Sequence, residues 1–386
     1  MKHRVLFLDH TGLLGGAELT LLDIARHFAA ESKMILFEDG PFRERLEAAG
    51  VPVEILPAPA PVRGVRREAG LWQDVKSLPG VLTLVRHVAR RSRGYDVLYA
   101  SSQKAFVVAA LAGRLARKPV LWHLHDLLTP EHFSHTHRRL VVGLANRWTA
   151  RVITNSEASA RAFIASGGQA SNIHVVYLGL RPERFTNVSS TAVEALRRAI
   201  GIDGGPIVSV FSRLAPWKGQ HVLLEALADV PQVHALLIGQ ALFGEEDYAA
   251  SLHRLAEALG ITGRVHFLGF RDDIPELLHL SDVVLHTSTA PEPFGRVVVE
   301  GMLAGRPVVA THAGGVLEII EDGKTGILVE PGDAHALARA LNHLLSSPDE
   351  AHALAKAGQA AAQTRFSMQR MLNDIEQQIE EVTSLP

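Results

Sequence analysis

Apolar positions along this chain follow two alternating patterns. The runs RVLFLDH, KMILF, VPVEIL, DVLYAS, PVLWHLH, RVITNS and IHVVYLG are short and nearly continuous in apolar and β-branched residues, which predicts strands buried on both faces. Most are separated by stretches whose apolar residues recur at helical spacing, such as GGAELTLLDIARHFAAE and KAFVVAALAGRLARK. Strands alternating with amphipathic helices predict a parallel sheet wrapped by helices. Near residues 183–205 the rhythm breaks into PERFTNVSS, a helix-like TAVEALRRAIG and the turn IDGGP, and then resumes with IVSVFSR, HALLIG, RVHFLGF, DVVLHTS, PVVATH and GILVE. Two doubly wound domains are expected, alike in architecture without repeating one another residue by residue.

Parallel sheets bind ligands beyond the carboxyl ends of their strands, so the residues just after each strand carry the candidate chemistry. HTGLLGGAELT follows the first strand, and its Gly12, Gly15 and Gly16 would let a phosphate or sugar approach the backbone at a positive helix end. The spacing is not G-x-G-x-x-G and no ribose-binding acid closes the next strand, so a dehydrogenase is poorly supported; a tight strand-to-helix turn is the plainer alternative. FSRLAPWKGQ places Arg213 and Lys218 on a loop aimed at the crevice of the second domain, where a fork and a point charge suit a diphosphate, unless both are merely solvated. PEPFGRVVVE puts Glu292 in a loop, the amides around Phe294 and Gly295 at a helix start, and Glu300 in that helix's second turn. Eight residues of continuous helix span about 12 Å. Carboxylate, amides and carboxylate in that order match a sugar, a diphosphate and a ribose. A glycosidase pair is the competing reading, but it gives the two cations no purpose.

Composition changes the picture in two places. The 386 residues are 47% hydrophobic and 21% charged and include no cysteine, which excludes disulfides, thiolate zinc sites and cysteine nucleophiles. No apolar run reaches the length of a membrane span, and RVLFLDH begins a strand where a signal segment would stand, so a cytoplasmic location is expected. The net charge of -2 conceals an asymmetry: residues 1–190 hold 25 Lys and Arg against 16 Asp and Glu, and the rest hold 14 against 25. Basic clusters at 62–70, 85–94 and 136–140 suggest either solvated helix faces or peripheral contact with an anionic membrane at its inner face. His132, His135 and His137 invite a zinc reading, but no acidic or thiolate companion shares their spacing.

SRLAPWKG (212–219), LIG (237–239), HFLGFRDDIPELL (266–278), the E-x7-E element PEPFGRVVVE, GMLAGRPVVATHAGGVLEIIEDGKTGILVEPGD (301–333) and RFSMQRM (365–371) together resemble the nucleotide-sugar domain of the retaining glycosyltransferases of family four, glycosyl transferases group 1. GGAE (15–18), WHLHD (122–126) and VITNSE (152–157) resemble the first domain more loosely. The resemblance implies a GT-B fold of α/β class, two doubly wound Rossmann-like domains facing a central cleft. It divides the chain into an acceptor domain at 1–190, a nucleotide-sugar domain at 191–365 and a terminal helix at 366–386 packing back on the first domain.

It also implies roles. Arg213 and Lys218 would hold the donor diphosphate and stabilise the leaving phosphate. Glu300 would bind the ribose; Glu292, with the amides of Phe294, Gly295 and Arg296, would hold the transferred sugar. Arg271 would lie by the base, and Gly15 and Gly16 by the donor phosphate. His125 would stand at the sugar carbon under attack, with His123 the neighbouring choice in register. The expected reaction moves a sugar from a UDP-, GDP- or ADP-linked donor to a sugar, glycan or lipid-linked acceptor, with retained configuration and no metal or other cofactor, in envelope polysaccharide, lipopolysaccharide or glycolipid synthesis. No nucleic acid is expected as a partner. A sugar-nucleotide epimerase or glycan phosphorylase of the same architecture, or a non-catalytic nucleotide-sugar-binding subunit, are the rival readings. Where many relatives have an Asn-Gly-x-Asp turn before the interdomain linker, this chain has Leu178, Gly179, Leu180 and Arg181, which places the linker geometry in question.

Overall fold

The computed structural model describes residues 3–58, 78–242 and 244–384. The basic stretch 62–70 lies outside them. Each of the thirteen apolar runs read as strands contains or overlaps one. The chain divides into two compact units, 1–179 with 369–386, and 180–368.

In the first, seven parallel strands run in the order β3-β2-β1-β4-β5-β6-β7. They are β1 (Val5–Asp9), β2 (Ser32–Leu36), β3 (Val53–Ile55), β4 (Val97–Ala100), β5 (Val120–Leu124), β6 (Arg151–Thr154) and β7 (Ile173–Val175). The helices are α1 (Gly16–His27), α2 (Pro41–Ala48), α3 (Leu78–Ser92), α4 (Gln103–Ala116), α5 (His135–Trp148) and α6 (Glu157–Ala165). Right-handed crossovers put α1 and α2 on one face of the sheet and α3 to α6 on the other, because the strand order reverses after β3. Ser102, Ser134 and Ser156 cap α4, α5 and α6 through their hydroxyls, fixing where each helix leaves its strand. The core under α3 to α6 is centred on Trp122, stacked on Phe106 at 4.1 Å and meeting Phe163 edge-on. Truncating Trp122 to alanine would cost about 3–5 kcal/mol.

In the second unit six parallel strands run β10-β9-β8-β11-β12-β13. They are β8 (Ile207–Phe211), β9 (His234–Ile238), β10 (Val265–Gly269), β11 (Val283–His286), β12 (Val308–Thr311) and β13 (Ile327–Val329). Its helices are α7 (Glu183–Thr186), α8 (Ser190–Ile200), α9 (Gln220–Ala226), α10 (Glu246–Ala258), α11 (Ile274–Leu280), α12 (Arg296–Leu303), α13 (Ala334–Ser346) and α14 (Pro348–Arg365). A last helix, α15 (Met368–Thr383), packs on the first unit beside α1: Glu376 reaches His27 at 3.6 Å, Glu381 pairs with Arg151 at 3.0 Å, and Thr383 meets His3 at 3.2 Å.

The boundary falls at Gly179/Leu180 rather than at residue 190, and the return at Met368/Gln369 rather than at 366. Local bonding explains both corrections. Leu180 donates to the Phe366 carbonyl and accepts from the Met368 amide, each at 2.9 Å, and the Phe185 carbonyl lies 2.6 Å from His279 Nε2. Leu178 and Leu180 are both buried, so this stretch is anchored by apolar packing.

Candidate active site

The second sheet reverses its order between β8 and β11, and the loops after these strands flank that switch point. Residues 212–219 follow β8; residues 287–295 follow β11. Main-chain contacts pin one loop to the other: the Thr289 amide donates to the Trp217 carbonyl and the Thr287 hydroxyl to that of Lys218, both at 2.8 Å. Gly219, at φ +69°, comes so close that a Cβ there would lie 2.0 Å from the Thr287 carbonyl oxygen, which only glycine permits.

This pinning delivers Lys218 to Glu292. Lys218 Nζ lies 2.6 Å from Glu292 Oε1. The same oxygen accepts from the Ser288 hydroxyl and lies 2.9 Å from His286 Nε2. His286 Nδ1 in turn lies 3.1 Å from Thr311 Oγ1 on β12, which fixes the ring. Glu292 is 8% exposed, and burial pushes its carboxyl up; the Lys218 ammonium and His286 outweigh that and hold it well below the usual carboxylate range. It therefore has no proton to give at neutral pH. With three donors on Oε1, Oε2 is its remaining acceptor. The space left among Phe211, Lys218, His286 and Glu292 is about 10 Å³, no more than one water.

A glycine pair after β12 forms the wall behind. The Gly315 amide donates to the Glu292 carbonyl at 2.8 Å, and a Cβ on Gly314 or Gly315 would lie 2.3 Å from the carbonyl oxygen of Glu292 or Pro293. Gly295, at φ +106°, is the N-cap of α12, and no side chain caps that positive helix end. Phe294 is buried edge-on against Phe366.

The other expected charged residues of this domain are each held in an ion pair. Arg213 Nε lies 3.0 Å from Glu245 Oε2, and Arg296 Nε donates to Glu300 Oε1 at 2.9 Å one turn along α12. Arg271 forks onto Asp273 beyond β10, its Nε donating at 2.8 Å. Three strand spacings separate β10 from β11, about 14 Å. His286, Ser288, Thr311 and the Gly314–Gly315 pair were missed from sequence; the polar His-Thr-Ser ending an otherwise apolar strand was the available signal.

In the first sheet the reversal lies between β1 and β4. Gly15 is the N-cap of α1 and Gly16 its first residue. The Glu18 carboxylate folds back on this turn, where a Cβ on Gly15 would lie 2.7 Å from Oε2. Burial and the neighbouring Asp9 push the Glu18 carboxyl up to about 7, against the pull of the Glu18 and Gly15 amides and of His10. Gly12 is small for another reason: its carbonyl accepts from Phe42, and a Cβ would strike the backbone at Asp39.

His123 is fully buried on β5, with Nδ1 2.7 Å from the Tyr99 hydroxyl. His125 stands just past the strand end, its ring 3.9 Å from that of His123. Burial depresses His125 to about 4, although Asp126 and Asp9 pull the other way, so it is neutral at pH 7. Beside it, Gln103 donates to Asp126 Oδ2 at 2.8 Å and holds His137 through its other amide atom. Among the described residues, no three His, Asp or Glu converge as metal ligands.

Residues 192–361 match the family described as Glycosyl transferases group 1, and residues 15–179 match the Glycosyl transferase 4-like domain. The crystal structure of Anabaena Alr3699/HepE in complex with UDP and glucose superposes with a TM-score of 0.90 at 44% identity, covering 99% of this chain and 100% of that one. The chain belongs to the group 1 glycosyltransferases. The two domains of this glycosyltransferase accordingly have the GT-B architecture expected from sequence. It is also similar to the lipopolysaccharide core biosynthesis glycosyltransferase LpsE of Rhizobium meliloti, 37% identical over 42% of this chain and 46% of LpsE, and to spore coat protein SA of Bacillus subtilis, 34% identical over 50% and 53%. The match thus spans about half the length of these two curated relatives.

Proposed function

We propose that this glycosyltransferase moves a hexose from a nucleoside diphosphate to an acceptor hydroxyl with retention of anomeric configuration and without a metal ion. The observation that carries the reading is the convergence of Lys218, His286 and Ser288 on one oxygen of Glu292 beside the uncapped start of α12. A carboxylate so neutralised is neither acid nor nucleophile, but its second oxygen can accept from sugar hydroxyls. Lys218 and the α12 amides face charge that develops on a departing diphosphate, where fixed donors contribute the largest catalytic stabilisation. Arg213, released from Glu245, would add a second cation, and Glu300, released from Arg296, would take the ribose. Arg271 would border the base, and Gly15 and Gly16 the donor phosphates.

UDP is the favoured nucleotide, because HepE, similar over nearly the whole chain, was crystallised with UDP and glucose. In the retaining step the leaving phosphate takes the acceptor proton. His125, neutral and past its strand end, would sit at the reacting carbon; His123, committed to Tyr99, would not. The acceptor is a glycan, glycolipid or lipopolysaccharide intermediate, handled on the cytoplasmic side; among the described residues no helix is long and apolar enough to cross a membrane. A thermal-shift series with UDP, GDP, ADP and their glucose conjugates tests the donor. UDP-glucose should give the largest rise in Tm, and stabilisation by none of them would remove the reading.

A further inference from the structure

The two faces of the first domain's sheet are electrically unlike. On one face, α3, α4 and α5 pack in sequence, α3 against α4 and α4 against α5. Together they hold eight Lys or Arg and not one Asp or Glu. On the other face, α1, α2 and α15 hold four Lys or Arg against eight Asp or Glu. α6, the fourth helix of the basic face, carries one charge of each sign.

On α3, Leu82, Arg86, Arg90 and Arg93 just beyond its end recur at helical spacing, and all four are exposed. α5 adds exposed Arg139 and Arg147, eight residues apart on one side. Among the described residues none of these arginines enters an ion pair; Arg91 alone on α3 does, with Glu54 at 2.8 Å, and it points off the stripe. Apolar groups accompany the charge. The first domain exposes four large hydrophobic side chains among its described residues, Leu13, Leu82, Leu115 and Ile164, and the last three lie on helices of this face. Leu115 is 61% exposed between Arg114 and Arg117.

We propose that the α3–α5 face of the first domain docks on a bilayer containing anionic phospholipid. Guanidinium groups would meet the phosphates, and Leu82 and Leu115 would enter the headgroup boundary. A polyanion such as a nucleic acid would use the arginines but leave the leucines in water, and the acidic face opposite would be repelled by the same surface, so the charge distribution orients the domain. Lys or Arg near an anionic leaflet each contribute about fivefold in partitioning. The contact is screened as salt shortens the Debye length. This inference is independent of the donor chemistry, since none of these residues belongs to the donor loops.

The test is co-sedimentation of the full chain with vesicles of phosphatidylcholine alone and with about one third phosphatidylglycerol. Anionic vesicles should capture at least about tenfold more protein at low salt, and the difference should vanish near molar salt. Arg86→Glu with Arg90→Glu and Arg93→Glu should reduce capture by about a hundredfold or more, while Lys356→Glu in the second domain leaves it unchanged. Leu82→Ser with Leu115→Ser should reduce it severalfold. Equal capture by neutral vesicles, parental capture by the triple variant, or tighter binding to duplex DNA that ignores the leucine changes would each overturn the proposal. UDP stabilisation retained in the triple variant shows that the chain is folded. Vesicle capture without any nucleotide stabilisation in the parent would leave this face standing and remove the donor reading instead.

Discussion

Two glutamates beside the first turn of a helix, one in each domain, show how position and environment divide the work. Glu292 precedes α12 and Glu18 lies in the first turn of α1, each beyond a strand that borders its sheet's switch point. Glu292 is surrounded by donors and stays ionised; Glu18 shares its corner with another carboxylate, Asp9, and its pKa rises to about 7. The same residue type at the same kind of site is thus a fixed negative charge in the second domain, and a proton-sensitive group in the first. What distinguishes them is the cation: Lys218 is brought to Glu292 by the pinning of two loops, whereas among the described residues His10 is the side chain that opposes the rise at Glu18.

Breaking the second-domain cluster should have the largest effect. Glu292→Gln should lower kcat/KM for transfer about a thousandfold, read with UDP-glucose and a glycan acceptor. Glu292→Ala leaves the half-buried Lys218 ammonium without its carboxylate and should cost about 3–5 kcal/mol of stability in urea unfolding. Adding Lys218→Met to Glu292→Gln should restore stability relative to Lys218→Met alone without restoring activity; recovered activity would mean that the pair is structural.

The next effect belongs to the first domain. His125 titrates near 4 when folded and near 6.5 when unfolded, so the unfolded chain binds more protons between those values and stability falls as pH drops from 6.5 toward 4. The loss is about 3 kcal/mol from this residue. His125→Asn should flatten that part of the profile, while transfer activity falls at every pH.

How much of this was readable in advance follows from the range of the interactions. All thirteen strands were legible because burial on both faces leaves continuous apolar runs, and RVVVEGMLAG declared α12 by its period. Lys218 and Glu292 were legible as motif residues, but not as partners, because 74 positions separate them and their loops meet only in the fold, through the contacts of Trp217, Lys218 and Gly219 with Thr287 and Thr289. His286 and Ser288 were read as the tail of a strand. The domain boundary was placed late because residues 180–190 carry little apolar period; their attachment depends on bonds to Phe366, Met368 and His279. Gly12, read as room for a ligand, is room for the backbone at Asp39 and Gly40.

Smaller changes sharpen the contrast. Glu300→Ala frees Arg296 and should weaken UDP binding by about tenfold, the loss of one charged hydrogen-bond acceptor, with the chain's Tm nearly unchanged. Glu18→Gln should leave the donor loops untouched and change stability with a definite sign. A carboxyl raised from 4.5 to about 7 contributes stability that is complete below 4.5 and lost as pH rises through 7. The glutamine variant should therefore melt a few degrees above the parent at pH 8 and alongside it at pH 5.

In the proposed reaction Glu292 holds the sugar while Lys218 holds the phosphates. Calorimetric titration of UDP and of UDP-glucose into the parent, Glu292→Gln and Lys218→Met tests it directly. Lys218→Met should weaken both ligands by at least about tenfold, whereas Glu292→Gln should bind UDP as the parent does and lose the parent's preference for UDP-glucose. A Glu292→Gln protein that keeps that preference in full would show that Glu292 does not hold the sugar.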